Sequence, residues 1–297
     1  MDSSLSTVAL PVALAVVMFG LGLALTPADF VRIGRQPRAV VVALALQLLV
    51  LPALCLGLVL AFGLPPLLAV GMMLLAASPG GTTANLFSHL YRGDVALNIS
   101  LTAINSVIAV VTLPLVTNLA VGFFDPPDAG TLGLQFGKTL QVFAIVLVPV
   151  ALGMLVRRSA PAFADRMDKP VRILSAVVLA LVILGTIVAE RENVGSYLAD
   201  VGLPALVFCL CSLTLGFLVP RLLGIGRAQA VASSFEIGVH NSTLAIAVAI
   251  SVLGSVELAV PAAVYGVLMF PVAAVFGWAI TRRNAPAGDR EDPVPAG

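Results

Sequence analysis

Charged residues are scarce in this sequence: 10% of its 297 residues are Asp, Glu, Lys or Arg, against 60% that are hydrophobic. A soluble domain carries about 25% charged residues, because its surface must be wetted. A soluble enzyme is excluded on that ground, and a net charge of +1 offers no basic surface for nucleic acid. The three cysteines, Cys55, Cys209 and Cys211, lie in apolar runs without metal-ligand spacing, so we expect buried free thiols. The two histidines, His89 and His240, stand far apart with no Cys/His grouping, which leaves a membrane-embedded enzyme no metal cluster and no nucleophile–base pair. Met1 to Thr7 has no basic stretch, and no small-residue cleavage site follows the first apolar run, so that run is expected to be a retained span.

What the sequence does have is long apolar runs. The mean hydropathy is +1.09. A helix crossing about 30 Å of hydrocarbon needs roughly 20 apolar residues, and nine such stretches occur, near 7–26, 39–62, 66–88, 94–122, 134–156, 171–189, 199–220, 228–253 and 258–281. Short connections carry most of the charge and turn chemistry, such as Pro65-Pro66 and Asp125-Pro126-Pro127-Asp128. In a nine-span chain, fourteen of the sixteen basic residues fall on one side, from Arg32, Arg35 and Arg38 through Arg92, Arg157, Arg221 and Arg227 to Arg282. The opposite side holds Asp125, Asp128, Glu190, Glu192, Asp200 and Glu257. Basic loops stay cytoplasmic. We therefore expect an integral protein of the cell (inner) membrane, with its N-terminus outside, its C-terminus cytoplasmic, and residues 284–297 forming a disordered tail.

Two spans are interrupted. The third contains Ser78-Pro79-Gly80-Gly81-Thr82-Thr83-Ala84-Asn85, and the eighth contains Glu236-Ile237-Gly238-Val239-His240-Asn241-Ser242-Thr243. Proline removes a backbone donor and glycine favours non-helical geometry, and in lipid the freed backbone must be satisfied inside the protein. With 134–156 as a connector, residues 7–122 and 171–281 form two four-helix repeats of opposite topology, and the interrupted helix is third in each. The expected architecture is an all-α polytopic membrane protein of nine helices in two inverted repeats. Paired breaks in inverted halves mark a secondary transporter with its site at the midplane.

Glu236 lies well inside a span, and no lysine or arginine occupies the middle of any span. Its countercharge should then be a bound cation or a proton. Oxygen ligands suit a hard cation. Asn85 follows the first break, Gln47 sits inside the second span, and Asn98, Thr102, Asn105 and Ser106 fall on one helical face of the fourth. Interhelical hydrogen bonding is the expected role of Asn105 and Ser106, and cation binding that of Asn98 and Thr102. The helix N-termini at the breaks, with Thr82, Thr83, Asn241, Ser242 and Thr243, favour an anion. The transport reading is cation-coupled uptake of an organic anion by alternating access; a proton carried by Glu236 is the alternative.

At these residues the sequence resembles the bile acid–sodium symporter family. The matching stretches are Met18-Phe19-Gly20-Leu21-Gly22-Leu23 with Thr26-Pro27-Ala28-Asp29-Phe30, then Pro79 to Asn85 with Arg92-Gly93-Asp94-Val95-Ala96-Leu97, and Glu236 to Ser242. The resemblance implies two crossing broken helices in a core of spans two, three, four, seven, eight and nine, against a panel of spans one, five and six. It implies sodium as the coupling ion, one site on Asn85, Asn98, Thr102 and Glu236. A second would use Gln47, Glu236, the carbonyls of Ile237 and Val239, and His240. Two positions depart from the family: Ala84 stands where serine is frequent, and His240 where glutamine is familiar, which makes a poorer sodium ligand. Bile acids, pyruvate, pantoate and related carboxylates are the implied substrates, with the lipid bilayer and no obligatory protein partner.

Overall fold

A computed structural model describes residues 36–126 apart from Thr82, residues 136–167 and residues 194–282, with scattered positions among 15–34 and 170–177. The first and sixth expected spans and the C-terminal tail lie largely or wholly outside these residues. Among the described residues the chain is helical, with no strand beyond one isolated bridge between Gly80 and His240. Four helices among the described residues are long and apolar enough to cross a membrane: Pro37–Phe62, Val95–Phe124, Ala199–Leu222 and Glu257–Arg282. We name the elements α1 (Pro37–Phe62), α2 (Pro66–Ala77), α3 (Thr83–Leu90), α4 (Val95–Phe124), α5 (Phe136–Ser159), α6 (Val194–Leu222), α7 (Arg227–Gly238), α8 (Ser242–Ser251) and α9 (Val260–Arg282).

The side chains sort as lipid demands. On α4, Val107, Val111, Leu115, Leu119 and Phe123 stand at four-residue intervals and are all at least half exposed. In water such a stripe marks an interaction surface; in a bilayer it is the face turned to acyl chains. The opposite face of α4 buries Asn98, Thr102, Asn105, Leu113 and Thr117. Its polarity is thus turned inward, the reverse of a soluble helix.

α1 departs from simple helix. Leu46–Val50 forms a π turn in which the amide of Leu51 reaches back five residues to the carbonyl of Leu46. Pro52 supplies the reason: it has no N–H for the carbonyl of Leu48, and its ring crowds that oxygen. A wider turn relieves both, and π turns recur at functional sites. Gln47 lies in this turn and is buried.

Close approach fixes α7 against its neighbours. A Cβ at Gly238 would overlap the Leu213 side chain, and one at Gly216 would overlap Ile237 and the backbone of Ser234. The two glycines let α6 and α7 touch along their backbones. On the other side of α7, Phe235 stacks against Phe87 and Tyr91 of the α3 segment at centroid distances of 5.5 and 5.6 Å.

Candidate functional site

The two interruptions meet. α2 runs buried for ten of its twelve residues and stops at Ser78, whose backbone is extended (φ −74°, ψ 146°). The residue before a proline is pushed out of helical geometry, which is what Pro79 does to Ser78. Pro79 also has no N–H for the carbonyl of Leu75, and Ser78 supplies two replacements: its amide donates at 3.0 Å and its hydroxyl at 2.6 Å. α7 ends at Gly238, and Asn241 begins α8 by accepting the amide of Leu244 on its side-chain oxygen at 3.1 Å.

Between the breaks, backbone binds backbone. The amide of Gly81 donates to the carbonyl of Val239 at 2.7 Å, and the amide of Asn241 donates to the carbonyl of Pro79 at 2.8 Å. In unbroken helices those amides would serve Ala77 and Ile237. Each interruption gives up its own ladder bond for one to the other segment, so freed backbone is satisfied inside the protein. Four helix ends converge as a result, two carbonyl termini (α2, α7) and two amide termini (α3, α8).

Glu236 is fully buried two residues before the end of α7. Its Oε2 accepts the Thr102 hydroxyl at 2.5 Å and its Oε1 accepts the Asn105 amide at 3.0 Å. The carboxyl rests on the backbone of Gly80, in the space a Cβ there would need. All these partners are neutral. Asn98, one turn before Thr102, donates to the carbonyl of Ala232 at 2.7 Å. Ser106, which shares the α4 face, turns its hydroxyl back to the carbonyl of Thr102 at 2.7 Å, the usual resting place of a helical serine.

A second polar group lies on the other side of the bridge. Gln47 Nε2 donates to the carbonyl of Ser78 at 3.0 Å, and His240 Nδ1 stands 3.2 Å from the same oxygen. A ring nitrogen facing a carbonyl carries the proton, which leaves His240 Nε2 as a bare acceptor. The imidazole is stacked on Phe208 at 5.5 Å and meets Tyr265 edge-on at 5.4 Å. The Tyr265 hydroxyl donates to the carbonyl of Gly238 at 2.8 Å.

The unpartnered atoms are as informative as the bonds. Four buried amide oxygens have no hydrogen-bond partner: Gln47 Oε1, Asn85 Oδ1, Asn98 Oδ1 and Asn105 Oδ1. Buried polar atoms in native proteins are nearly always satisfied. His240 Nε2 and the hydroxyls of Ser88, Ser233, Ser242 and Ser251 are likewise without a partner, and the four amide oxygens among these atoms are acceptors of one kind. Amide oxygens and a carboxylate are the donor types that a hard cation takes.

The sequence-expected residues fall as follows. Thr102 and Glu236 are in direct contact, and Asn98 joins them on the α4–α7 seam. Asn85 is on α3, which packs against α7 and α4. Gln47 and His240 meet at Ser78, while the Val239 carbonyl accepts from Gly81. Ile237 is buried, with its side chain against Gly216. Thr83, Asn241 and Thr243 are half-buried, whereas Ser242 is buried, close to where a Cβ of Gly266 would stand. Thr82 lies outside the described residues. The interhelical hydrogen bond expected of Asn105 is the one it gives Glu236. Ser106, expected to do the same, bonds within α4 because its hydroxyl reaches the carbonyl four residues back. Sequence reasoning passed over Ser78 and Tyr265, though a lone tyrosine inside the apolar run of α9 is itself a signal that a buried hydroxyl has a partner.

A family model described as the sodium bile acid symporter family matches residues 11–197. A probable chloroplast sodium/metabolite cotransporter of rice (Oryza sativa) is 27% identical over 281 residues, which are 95% of this chain and 66% of the rice protein. An uncharacterised sodium-dependent transporter of Bacillus subtilis is 30% identical over 263 residues, 86% of this chain and 77% of that one. The ileal sodium/bile acid cotransporter of rabbit (Oryctolagus cuniculus) is 27% identical over 241 residues, 81% of this chain and 68% of the rabbit protein.

Proposed function

We propose a sodium-coupled transport function from the premise that this chain belongs to the sodium bile acid symporter family. The observation that carries it is the buried Glu236 carboxylate beside orphaned amide oxygens, without a cationic side chain in its hydrogen-bond shell. A charge at that depth costs at least a few kcal/mol unless it is paired. Sodium supplies the pairing, held by Glu236, Asn98, Thr102 and Asn85, with Asn105 orienting the carboxylate. The carbonyl ends of α2 and α7 carry the negative pole of their dipoles and add to the attraction. Gln47, the carbonyls of Ile237 and Val239, and His240 form the second candidate position, with His240 contributing Nε2.

The substrate is an organic anion, either a small carboxylate such as pyruvate or pantoate or a bile-acid-like molecule. The amide ends of α3 and α8 favour its negative charge, and Thr82, Thr83, Asn241, Ser242 and Thr243 lie at those ends. In the proposed architecture nine spans form two inverted repeats, 7–122 and 171–281, about a connector at 134–156, with the site at the midplane. Arg38, Arg92 and Arg227 flank the N-termini of α1, α4 and α7, which supports the cytoplasmic assignment of that end. Sodium binds first and fixes the meeting of the two breaks; the anion then docks, and core and panel rock to open the site alternately.

The test needs no substrate. Thermal unfolding of the full chain in detergent is compared in sodium and in potassium at matched ionic strength. A ligand that binds only the folded state stabilises it by about 1.4 kcal/mol at ten times its Kd. Stabilisation by sodium that vanishes in Glu236→Ala is the expected result; equal unfolding in both salts would overturn the reading. Uptake into vesicles driven by a pH gradient without sodium would instead establish the proton-coupled alternative.

A further inference from the structure

α4 and α7 are joined by a ladder with a fixed step. The amide of Asp94 donates to the carbonyl of Ala228 at 2.8 Å, Asn98 Nδ2 to the carbonyl of Ala232 at 2.7 Å, and the Thr102 hydroxyl to Glu236 at 2.5 Å. Each rung joins residues 134 apart in sequence, and successive rungs advance four residues on both helices. The two helices therefore run parallel in one register, and the innermost rung is the Glu236 contact itself.

The outermost rung is tied down by side chains. Asp94 caps α4 by accepting the amide of Leu97 on Oδ1 at 3.0 Å, and its Oδ2 accepts Gln36 Nε2, also at 3.0 Å. Gln36 Oε1 accepts Gln229 Nε2 at 2.9 Å, and Gln229 Oε1 accepts the backbone amide of Gly226 at 3.2 Å. Four side-chain bonds thus link the first residues of α1, α4 and α7. Their polarity is forced. A carboxylate only accepts, so Gln36 must present its NH2 group and Gln229 likewise, and the chain ends on a main-chain N–H that cannot be turned around. Gly93 allows the approach, because a Cβ there would press on Val231 and Ala232 of α7.

We propose that Asp94, through Gln36 and Gln229, is the positioning residue that sets the register of α4 on α7 and thereby the geometry of Asn98 and Thr102 around Glu236. This rests on the sodium reading above and extends it to residues that touch no ion. Outer partners that orient ligands typically change metal affinity by about 10- to 100-fold when removed.

Asp94→Asn isolates the effect. Asparagine caps a helix as well as aspartate does, so α4 keeps its cap. The new NH2 group now faces the NH2 group of Gln36, and flipping either glutamine only moves the conflict along to the Gly226 amide. The double substitution Asp94→Asn with Gln36→Glu restores every donor–acceptor pair, since position 36 then accepts from both neighbours, and it keeps the net charge. Sodium titrations of thermal unfolding are run on the full chain, together with hydrogen exchange of residues 95–105 and 227–238 in potassium. The expected result is a half-saturating sodium concentration about tenfold higher in the single variant and near the original in the double, with exchange faster in the single variant and slowed again in the double. An unchanged titration in Asp94→Asn, or a double variant no better than the single, would overturn the proposal. A parent protein indifferent to sodium would sink the cation reading and the affinity claim with it, while the exchange comparison would still decide the register claim.

Discussion

The carboxyl of Glu236 rests on the backbone of Gly80, filling the volume where any other residue at position 80 would place its Cβ. The contact joins the ion-pairing candidate of one interrupted segment to the backbone of the other, so the site exists only when both breaks are in place. Gly80→Ala is therefore expected to displace Glu236, to lower stability by about 1–3 kcal/mol, and to remove the sodium-dependent rise in unfolding temperature. Gly81→Ala is the matched control. Its Cβ would meet the carbonyls of His240 and Val239 at 3.3 and 3.4 Å, a tight fit that a small shift absorbs. Equal losses from the two substitutions would argue against the specific Gly80–Glu236 contact.

Charge and shape at position 236 are separable. Glu236→Gln keeps an acceptor for the Asn105 amide and places an NH2 donor against the Thr102 hydroxyl, which can turn its own proton to the carbonyl of Asn98. Unfolding in potassium should then stay close to that of the parent, while the response to sodium disappears. Glu236→Ala leaves the Asn105 amide without its acceptor, while the Thr102 hydroxyl retains the carbonyl of Asn98, and should cost about 1–3 kcal/mol in potassium as well. Calorimetry of the two variants in both salts distinguishes them; a sodium response retained by Glu236→Gln would contradict a charge-paired ion.

Along α4, neighbouring hydroxyls should behave differently. Thr102→Val removes a bond to a charged acceptor, and a loss of about 1.5–3 kcal/mol is expected, with weaker sodium stabilisation. Ser106→Ala removes only a bond to its own helix and should leave the sodium titration where it was. Parallel titrations check the pair. An effect of Ser106→Ala equal to that of Thr102→Val would mean that the polar stripe acts as a whole.

Tyr265→Phe deletes one hydroxyl and little else. The carbonyl of Gly238 then loses its donor at 2.8 Å, and thermal unfolding should report a loss of about 1 kcal/mol. No change would indicate that Cys209, whose sulfur lies 3.9 Å from the same oxygen, or a water takes the place of the phenol.

Much of this site is legible in the residues. Pro79 with Gly80 and Gly81 announces the first break, and an acidic residue beside Gly238 and His240 announces the second. The helix ends agree to within a few residues for α1, α4 and α9, where apolar runs are bounded by charge or proline. Other features are written in a form that side-chain reading misses. The partners of Asp94 and Asn98 on α7 are the carbonyls of Ala228 and Ala232, and an alanine gives no hint that its backbone is in use. The π turn around Gln47 is prefigured only by Pro52, and proline within a membrane helix is too common to point to one outcome. Asn105 shares the helical face of Thr102, but an amide on that face has several possible partners, and only the packed structure shows that it reaches Glu236.

The two bonds that join the breaks, Gly81 to Val239 and Asn241 to Pro79, run from main chain to main chain. Such bonds are indifferent to which side chains surround them, apart from the small size demanded at Gly80. The frame that brings charge and helix ends together is therefore insulated from changes in the residues that line it. Substitutions at the rim can accumulate while the frame stays intact, and the chain's relatives do carry names as different as a sodium/metabolite cotransporter and a sodium/bile acid cotransporter.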